Sequence, residues 1–367
     1  MQLPVMPPVA PMLARPVADI PPNHFYEPKW DGFRSIVFRD CAEVQIGSRN
    51  ERPMARYFPE VVAAVKEVLP SRCVVDGEIV IANPDKRGLD FWALQQRIHP
   101  AASRIDLLAE HTPASFIAFD LLALDDVDCT RWPFHERRAT LERAFASAAP
   151  PVHLTPMTRD EDLARRWFDL FEGAGLDGLI AKEAGQTYQP NKRLMVKVKH
   201  ERTADCVVTG YRVHKSGPNA LGSLLLGLYD GGGKVEPEWS DLFGRLMPVG
   251  VVGAFSMARR RELLAELEPL VTDFTTHPWR AAALEMSAHT GRGEGTRWDP
   301  GKDLSFVPLR PERVVEVRYD HMEGGRFRHP TQFVRWRPDR DPASCSYDQL
   351  ERPVRFDIAD VLDGRVT

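Results

Sequence analysis

The chain has 367 residues, of which 43% are hydrophobic and 27% charged, and its formal net charge is −4. This composition excludes a disordered chain, and the length favours two domains that each bury a core. No apolar run approaches a membrane span and residues 1–4 lack a signal-peptide pattern, so the sequence predicts a cytoplasmic protein without membrane contact. The cysteines are odd in number and lack metal-ligand spacing, which argues against a disulfide framework and structural zinc; they are Cys41, Cys73, Cys129, Cys206 and Cys345.

Strands and helices are mixed without strict alternation up to about residue 200, which predicts an α+β domain. Residues 1–24 are proline-rich and are expected to run along the surface as an extended lead-in. Apolar patterning predicts a hairpin of 36–38 with 44–46, strands over 73–81, 115–122, 176–182 and 195–199, and helices over 60–69, 91–98, 133–148 and 160–173. The first of these single strands contains Asp76 and Glu78, and buried acids are costly unless they face a site.

From Asp205 onward, short strands are separated by glycine-rich turns. The pattern predicts strands over 206–211, 223–229 and 314–319, a hairpin at Asp230-Gly231-Gly232-Gly233 and a helix over 258–267. Short strands with one helix are typical of a small OB-fold β-barrel. We therefore predict three segments: a first domain over 1–201, an OB-fold domain over 202–341, and a tail over 342–367 that packs on the barrel or binds a partner.

Near the start, Lys29-Trp30-Asp31-Gly32-Phe33-Arg34 places a lysine before an Asp-Gly turn, with an arginine on the strand that follows. A lysine amine beside a fixed cation is a candidate nucleophile, because the cation disfavours the protonated amine. For this motif alone, a surface lysine ahead of a β-turn is the simpler explanation.

Six short segments carry polar or aromatic residues where the pattern favours a site. They are Lys29-x-Asp31-Gly32-x-Arg34, Ser48-Arg49-Asn50, Asp76-Gly77-Glu78, Phe119-Asp120, Asp177-Gly178-Leu179-Ile180-Ala181-Lys182 and Lys197-x-Lys199. Each alone has an ordinary structural explanation. Together they supply several cations, an acid for a divalent metal and an aromatic ring for a flat base. This set predicts a nucleoside triphosphate bound beside a lysine nucleophile.

The order and spacing of these motifs resemble the covalent nucleotidyltransferase superfamily, which comprises ATP-dependent DNA ligases, RNA ligases and mRNA capping enzymes. The closest resemblance is to the small bacterial ATP-dependent DNA ligases of the actinobacterial ligase C type, over residues from about 24 to 340. The resemblance implies an adenylation domain with ATP-grasp-like antiparallel sheets and helices, followed by an OB-fold domain.

The resemblance also implies a role for each matching residue. Lys29 corresponds to the lysine that attacks the α-phosphate of ATP and carries AMP. The other implied contacts are Glu27 with adenine, Phe119 stacked on adenine, Arg34 and Arg49 near ribose and phosphate, Arg193, Lys197 and Lys199 with the α-phosphate, and Arg337 and Arg340 with the pyrophosphate leaving group.

The implied cofactor is Mg²⁺ or Mn²⁺, with Glu78 engaging the ribose or the metal and Asp177 as a further metal ligand. Two positions depart from the family pattern. Asp177 stands where the family has glutamate, so its carboxylate is one methylene shorter. Met195 and Val196 stand where an aromatic residue usually precedes the paired lysines. Of the two implied metal ligands, Glu78 and Asp177, the assignment of Asp177 is the weaker one.

The implied function is sealing of 5′-phosphate, 3′-hydroxyl nicks in duplex DNA, in DNA repair and recombination, by a nucleoid-associated monomer. The OB-fold domain is expected to close on ATP and then swing away to clamp the nick. Candidate partners are repair or end-joining proteins. Two alternatives stay open from the sequence: an RNA ligase or capping enzyme on the same core, and an inactive scaffold that binds DNA ends.

Overall fold

The computed structural model describes residues 1–83, 85, 87–231, 245–281, 305–323, 325–351 and 354–366. Two compact units result: unit 1 holds residues 1–199 and 353–367, and unit 2 holds residues 200–352. The domain boundaries predicted at 201/202 and 341/342 stay predictions. The two compact units divide at 199/200 and 352/353. The segment predicted as one tail is therefore shared between the two units.

Unit 1 contains two principal β-sheets. Its strands are β1 (Leu13–Val17), β2 (Phe25–Pro28), β3 (Phe33–Asp40), β4 (Glu43–Ser48), β5 (Arg72–Val80), β6 (Ala82–Asn83), β7 (Gly88–Leu89), β8 (Ser115–Leu124), β9 (Val127–Asp128), β10 (Val152–Leu154), β11 (Leu179–Lys182) and β12 (Arg193–Val198). The larger sheet has the order β10-β8-β5-β3-β4, with β9 on β8, and the smaller has the order β1-β12-β11-β2. The strand β5 carries the acids of the Asp76-Gly77-Glu78 motif at the centre of the larger sheet.

Most pairs in these sheets are antiparallel, and the predicted hairpin of β3 with β4 is confirmed. Two pairs are parallel: β10 joins β8, and β1 joins β12. Part of the proline-rich lead-in is the strand β1, and most of residues 1–24 are exposed or half-buried, as expected of a surface segment. Met12, directly before β1, is only 1% exposed.

The helices are α1 (Pro59–Val68), α2 (Phe91–Gln96), α3 (Ala102–His111), α4 (Phe134–Ala144), α5 (Glu161–Phe171), α6 (Met257–Leu267) and α7 (Ile358–Leu362). The predicted helices correspond to α1, α2, α4, α5 and α6, each with slightly different ends. The helix α1 buries Val61 and Val65 in the core of the larger sheet, together with Val37 and Val75. This packing explains the apolar spacing along α1.

Residues 354–366 complete a second core in unit 1. Ile358 and Val361 of α7 are buried in the same cluster as Trp167 and Phe171 of α5. Trp167 Nε1 donates a hydrogen bond of 2.8 Å to the carbonyl of Val366. This part of the predicted tail therefore packs on unit 1 rather than on the barrel.

Unit 2 is built around one six-stranded sheet. Its strands are β13 (Arg202–His214), β14 (Gly217–Tyr229), β15 (Leu246–Val252), β16 (Val307–Pro308), β17 (Val314–Tyr319), β18 (Met322–Glu323), β19 (Arg326–Phe327) and β20 (Gln332–Trp336). The sheet order is β15-β14-β13-β17-β20, with β16 on β13. An isolated bridge joins Val252 to Thr331, but no barrel is closed among the described residues. The arrangement is consistent with the predicted OB-fold.

Two further sequence predictions concern the hairpin at Asp230-Gly231-Gly232-Gly233 and membrane-spanning segments. Gly232 and Gly233 of the predicted hairpin lie outside the described residues. In the described part of the chain, no helix is both long and apolar enough to cross a membrane.

Candidate active site

Unit 1 contains a cavity of about 250 Å³ whose walls come from both sheets. The predicted site residues that line it are Glu27, Lys29, Arg34, Arg49, Glu78, Phe119, Arg193 and Lys197. Lys182 also lines the cavity, so its walls carry six basic and two acidic side chains in all. The cavity is therefore rich in positive charge and suited to an anionic ligand.

Lys29 lies between β2 of the smaller sheet and β3 of the larger sheet. Its amide donates to the carbonyl of Gly178 at 2.9 Å, and its carbonyl accepts from the amide of Asp177 at 2.9 Å. Gly178 has φ of +102°, and a Cβ there would lie 2.0 Å from the carbonyl oxygen of Val198. Only glycine fits this position, so the Asp177-Gly178 pair fixes the backbone of Lys29.

The turn predicted at Asp31-Gly32 does not depend on a positive φ at the glycine. Gly32 is not among the glycines with positive φ. A Cβ at Gly32 would instead lie 2.3 Å from the carbonyl oxygen of Ile79 on β5. Glycine is needed here because the chain after Lys29 passes very close to the larger sheet.

Asp177 holds the amines of two lysines. Its Oδ2 lies 2.5 Å from Lys29 Nζ and 2.6 Å from Lys199 Nζ. Burial alone would raise the pKa of Asp177, but the two ammonium groups outweigh burial and hold the pKa below its usual value. Asp177 and Lys199 do not line the cavity themselves, yet they set the position of the Lys29 amine.

Lys197 is a cavity cation whose charge is disfavoured by its surroundings. Burial lowers its pKa, and the positive charges of Lys29 and Lys199 lower it further. Asp177 acts in the opposite direction with a smaller effect. A lysine in such surroundings gains from a bound anion, because the anion relieves the repulsion.

Arg34 is fixed by Asp76, which the sequence pointed to only as a costly buried acid. Arg34 Nε and Nη2 each lie 2.7 Å from a different oxygen of Asp76. The hydroxyl of Tyr188 donates to Asp76 at 2.7 Å, and Arg34 Cζ lies 4.4 Å from the centre of the Phe119 ring. The Arg34 guanidinium is thus held against one face of that ring.

Glu78 lies opposite Arg34 in the pairing of β3 with β5. Burial raises the pKa of Glu78 to about 7, against the opposing effects of Arg34 and Lys29. A carboxylate oxygen is the ligand type that Mg²⁺ and Mn²⁺ prefer. Glu78 therefore fits a divalent metal at the cavity, whereas Asp177 Oδ2 is engaged by two lysines.

Glu27 sits at the buried end of the cavity. Its Oε2 lies 2.8 Å from Lys182 Nζ, and Lys182 also donates to the carbonyl of Phe119 at 3.1 Å. Glu27 Oε1 accepts no hydrogen bond within the described part of the chain, although Arg138 Nη1 lies 3.5 Å away. Glu27 Oε1 is therefore ion-paired but not hydrogen-bonded, and it has acceptor capacity left for a ligand.

Sequence reasoning assigned no individual role to several residues that line the cavity. They are Lys182, Trp30, Ile180, Met195 and the backbone stretch 11–14. Lys182 carries a recognisable signal, because a lysine in an apolar buried strand needs a partner. The stretch 11–14 carries no such signal, since its place beside β12 depends on pairing across about 180 residues.

Arg337 and Arg340 belong to unit 2 and follow β20. Arg337 Nη1 lies 3.0 Å from each oxygen of Asp205, and Arg337 Nη2 lies 2.9 Å from Asp339. Arg340 Nε lies 3.6 Å from Asp205. The hydrogen bonds from Arg337 to Asp339, and the charge of Asp205, raise the pKa of Arg337 despite desolvation.

Unit 1, with its two sheets and a cavity lined by Lys29, and unit 2, which is consistent with an OB-fold, can be compared with known proteins. A solved structure of a Lig E DNA ligase shares this fold, with a TM-score of 0.54 over 89% of this chain and 99% of that chain, at 16% identity. The family model of the ATP-dependent DNA ligase domain matches residues 11–199, and that of the ATP-dependent DNA ligase C-terminal region matches residues 217–340.

Two curated relatives align with almost the entire chain. DNA ligase C of Mycobacterium tuberculosis is 64% identical over 99% of both chains. DNA ligase C2 of Mycolicibacterium smegmatis is 63% identical over 96% of this chain and 97% of its own. The chain therefore belongs to the ATP-dependent DNA ligase family and is a DNA ligase, as its motifs predicted.

Proposed function

We propose that this ligase seals 5′-phosphate, 3′-hydroxyl nicks in duplex DNA and that Lys29 is the residue that carries AMP. The observation that carries this proposal is the placement of Lys29. Its backbone is clamped by Asp177 and Gly178, and its side chain lines a cavity with six basic side chains. A fixed amine among cations is what attack on a phosphate requires.

The proposed reaction has three steps. The uncharged amine of Lys29 attacks the α-phosphorus of ATP, a P–N bond forms, and the P–O bond to pyrophosphate breaks. The 5′-phosphate of the nick then attacks the same phosphorus, which frees Lys29 and leaves AMP on the DNA. The 3′-hydroxyl finally attacks the 5′-phosphorus, a phosphodiester forms and AMP leaves. Lys29 Nζ lies 2.5 Å from Asp177 Oδ2, so the amine would have to leave this carboxylate before it attacks the phosphorus.

We propose that Glu27, Phe119 and Arg34 bind the adenosine. Glu27 Oε1 is the buried acceptor that an exocyclic amine would satisfy. Phe119 offers an aromatic face, and because Arg34 covers one face, the base would stack on the other. Arg34, held by Asp76, would direct an N–H toward the ribose.

Arg49, Arg193, Lys197 and Lys199 are the proposed phosphate contacts. Lys197 would gain from a bound anion, since burial and two lysines disfavour its charge. Glu78 would hold Mg²⁺ or Mn²⁺, and Asp177 would join it when a lysine amine leaves its Oδ2. When bound, the metal would neutralise charge on the triphosphate.

Arg337 and Arg340 are proposed to orient pyrophosphate during the first step, after which unit 2 would move to the nick. Limited proteolysis at residues 198–206 tests the movement, and a cleavage rate that ignores ATP contradicts it. We further propose that the enzyme acts as a monomer and that repair or end-joining proteins bring it to damaged DNA.

A labelling assay with a chase tests the proposed reaction. The enzyme is incubated with α-labelled ATP or GTP and then with nicked DNA or nicked RNA. We expect label from ATP alone and transfer of AMP to nicked DNA. Transfer to nicked RNA alone would establish an RNA ligase instead. Absence of covalent label would support a scaffold that only binds DNA ends.

A further inference from the structure

Asp205 stands between the two arginines that follow β20. Both of its carboxylate oxygens lie 3.0 Å from Arg337 Nη1, and one lies 3.6 Å from Arg340 Nε. Two guanidinium groups repel each other, and a carboxylate between them removes that repulsion. Asp205 is thus the group in unit 2 that keeps Arg337 and Arg340 side by side.

Asp205 is itself held rigidly. It lies on β13, whose neighbours are β14, β16 and β17, and its side chain is 13% exposed. The amide of Asp205 donates to Gln349 Oε1 at 2.7 Å, and Gln349 Nε2 donates back to the Asp205 carbonyl at 3.1 Å. A side chain on an internal strand with a clamped backbone provides a fixed reference point for a longer, flexible one.

Asp339 cannot serve the same purpose, although it also binds Arg337. It is two residues from Arg337 in the chain and its side chain is 60% exposed. It therefore moves with the segment that carries Arg337. Asp205 lies 132 residues away in sequence, and its position is set by the sheet.

Arg340 is coupled to this carboxylate less tightly than Arg337 is. Its buried Nε lies 3.6 Å from Asp205 and makes no hydrogen bond within the described ranges of the chain. An ion pair at this separation orients the guanidinium without a hydrogen bond at Nε.

We infer that Asp205 is a positioning residue for pyrophosphate departure: it aligns Arg337 and Arg340 so that both meet the leaving group together. This inference rests on the proposed role of those arginines. Because pyrophosphate leaves only in the first step, loss of Asp205 should slow formation of lysyl-AMP and its reversal by pyrophosphate. Sealing of a nick that already carries AMP should be spared.

Asp205→Asn tests the inference, since it keeps the shape of the side chain and removes its charge. We expect the rate of AMP labelling to fall about 10- to 100-fold, as for loss of one preorganised charged contact. The pyrophosphate concentration needed to reverse labelling should rise. Sealing of pre-adenylated nicked DNA should stay within about threefold of wild type, and Asp205→Glu should restore part of the labelling rate.

Glu316→Gln is the matched control. Glu316 is another carboxylate of the same sheet, 3.9 Å from Arg337, but it hydrogen-bonds Arg335 instead. Labelling should be unchanged in this variant. Equal losses in Asp205→Asn and Glu316→Gln would overturn the inference, because they would mean that only the overall charge matters.

Arg337→Ala separates failure of this inference from failure of the proposed function. If Arg337→Ala labels normally, the proposed role of the arginine is wrong and the inference falls with it. If Arg337→Ala loses labelling and Asp205→Asn does not, the inference alone is wrong. We expect Asp205→Asn to slow labelling no further once both Arg337 and Arg340 are alanine, and a further tenfold loss in that background would show that Asp205 acts independently of the two arginines. Equal loss of labelling and of sealing would reveal a merely structural role.

Discussion

Two cations proposed to contact phosphate, Lys197 of unit 1 and Arg337 of unit 2, are in opposite electrostatic situations. In unit 1, Lys197 lies near Lys29 and Lys199, and its pKa is lowered by burial and by like charge. In unit 2, Arg337 faces Asp205 and Asp339, and its pKa is raised. Both are proposed phosphate contacts, yet only one has its charge compensated in the protein alone.

This difference shows two ways of preparing a site for an anion. A cavity with unmatched positive charge binds an anion strongly, but the repulsion lowers the stability of the empty protein. An arginine already paired with carboxylates costs no stability, but its partners compete with the ligand. The cavity would therefore bind the triphosphate, and the paired arginines would act through geometry more than through attraction.

The largest expected effect removes the nucleophile on which the unit 1 cavity is centred. Lys29→Ala should abolish AMP labelling at every ATP concentration, because it removes the amine that lines the cavity on a backbone clamped by Asp177 and Gly178. Labelling is measured with α-labelled ATP. Lys66→Ala, an exposed position on α1, is the control and should label normally. Retained labelling in Lys29→Ala would refute the assignment of the nucleophile.

Removal of a paired arginine should damage both activity and stability. Arg337→Ala should reduce labelling about 100-fold and lower the Tm, because Asp205 and Asp339 lose the cation that holds them together. The control is Arg335→Ala, whose 62% exposed side chain has an ion pair of little value. If Arg337→Ala raised the Tm, the contrast between the two units would be wrong.

Removal of an unmatched lysine should have the opposite effect on stability. Lys197→Met should reduce labelling about 10- to 100-fold but raise the Tm, since it relieves repulsion from Lys29 and Lys199. The gain should shrink as the pH rises toward the usual lysine pKa, because wild-type Lys197 then loses its charge as well. Thermal unfolding between pH 7 and pH 10 measures this change. A fall in Tm at pH 7 would contradict the proposed electrostatics.

Glu78 also allows stability and labelling activity to be compared, here by changing the pH. Its pKa of about 7 in the folded protein exceeds the usual 4.5, so the folded state binds the proton more tightly than the unfolded state. Its contribution to stability is therefore lost as the pH rises from about 4.5 to 7. Glu78→Gln should stabilise the protein at pH 8 by on the order of 1–3 kcal/mol and have little effect at pH 4.5.

The activity of Glu78→Gln should move the other way. Labelling at pH 8 should fall about 10- to 100-fold, because the amide cannot replace the carboxylate as a metal or ribose contact. Chemical denaturation at the two pH values and labelling at pH 8 give both readings. Equal stabilisation at pH 4.5 and pH 8 would show that the charge of Glu78 is not responsible.

The smallest expected effect is that of a substitution at Trp167, away from both Lys197 and Arg337. It tests whether the contrast between these two cations is local. Trp167→Phe removes the hydrogen bond to the carbonyl of Val366 and should cost about 1 kcal/mol of unfolding free energy. Labelling should be unchanged. Trp92→Phe, at a side chain 59% exposed, should leave the unfolding free energy unchanged. A loss of labelling in Trp167→Phe would show that this contact also supports the site.

Much of the site in unit 1 could be predicted from the sequence, because polar residues in apolar strands are costly and stand out. Glu78 in β5 and Lys197 in β12 are of this kind, and both line the cavity. The strands that carry them were predicted from the same apolar patterns. The match of all the motifs to one family then gave the fold class and the ligase activity.

Contacts between distant parts of the chain could not be predicted in this way. The parallel pairing of β1 with β12, the hydroxyl of Tyr188 on Asp76 and the carboxylate of Asp205 on Arg337 each join residues more than 100 apart. Nothing local distinguishes these partners from other polar residues. The helix α3 was missed for a different reason, since Ile105 is its only buried residue and its apolar face is weak.

The packing of residues 354–366 on unit 1 determines the order in which the protein can be built during translation. Ribosomes must synthesise all of unit 2 before Ile358 and Val361 exist to cover Trp167 and Phe171. Unit 2 is continuous in sequence over residues 200–352, so it can fold while unit 1 still lacks part of its core. For that interval the nascent chain presents an aromatic surface to solvent, and such a surface is what chaperones bind and what aggregation begins from.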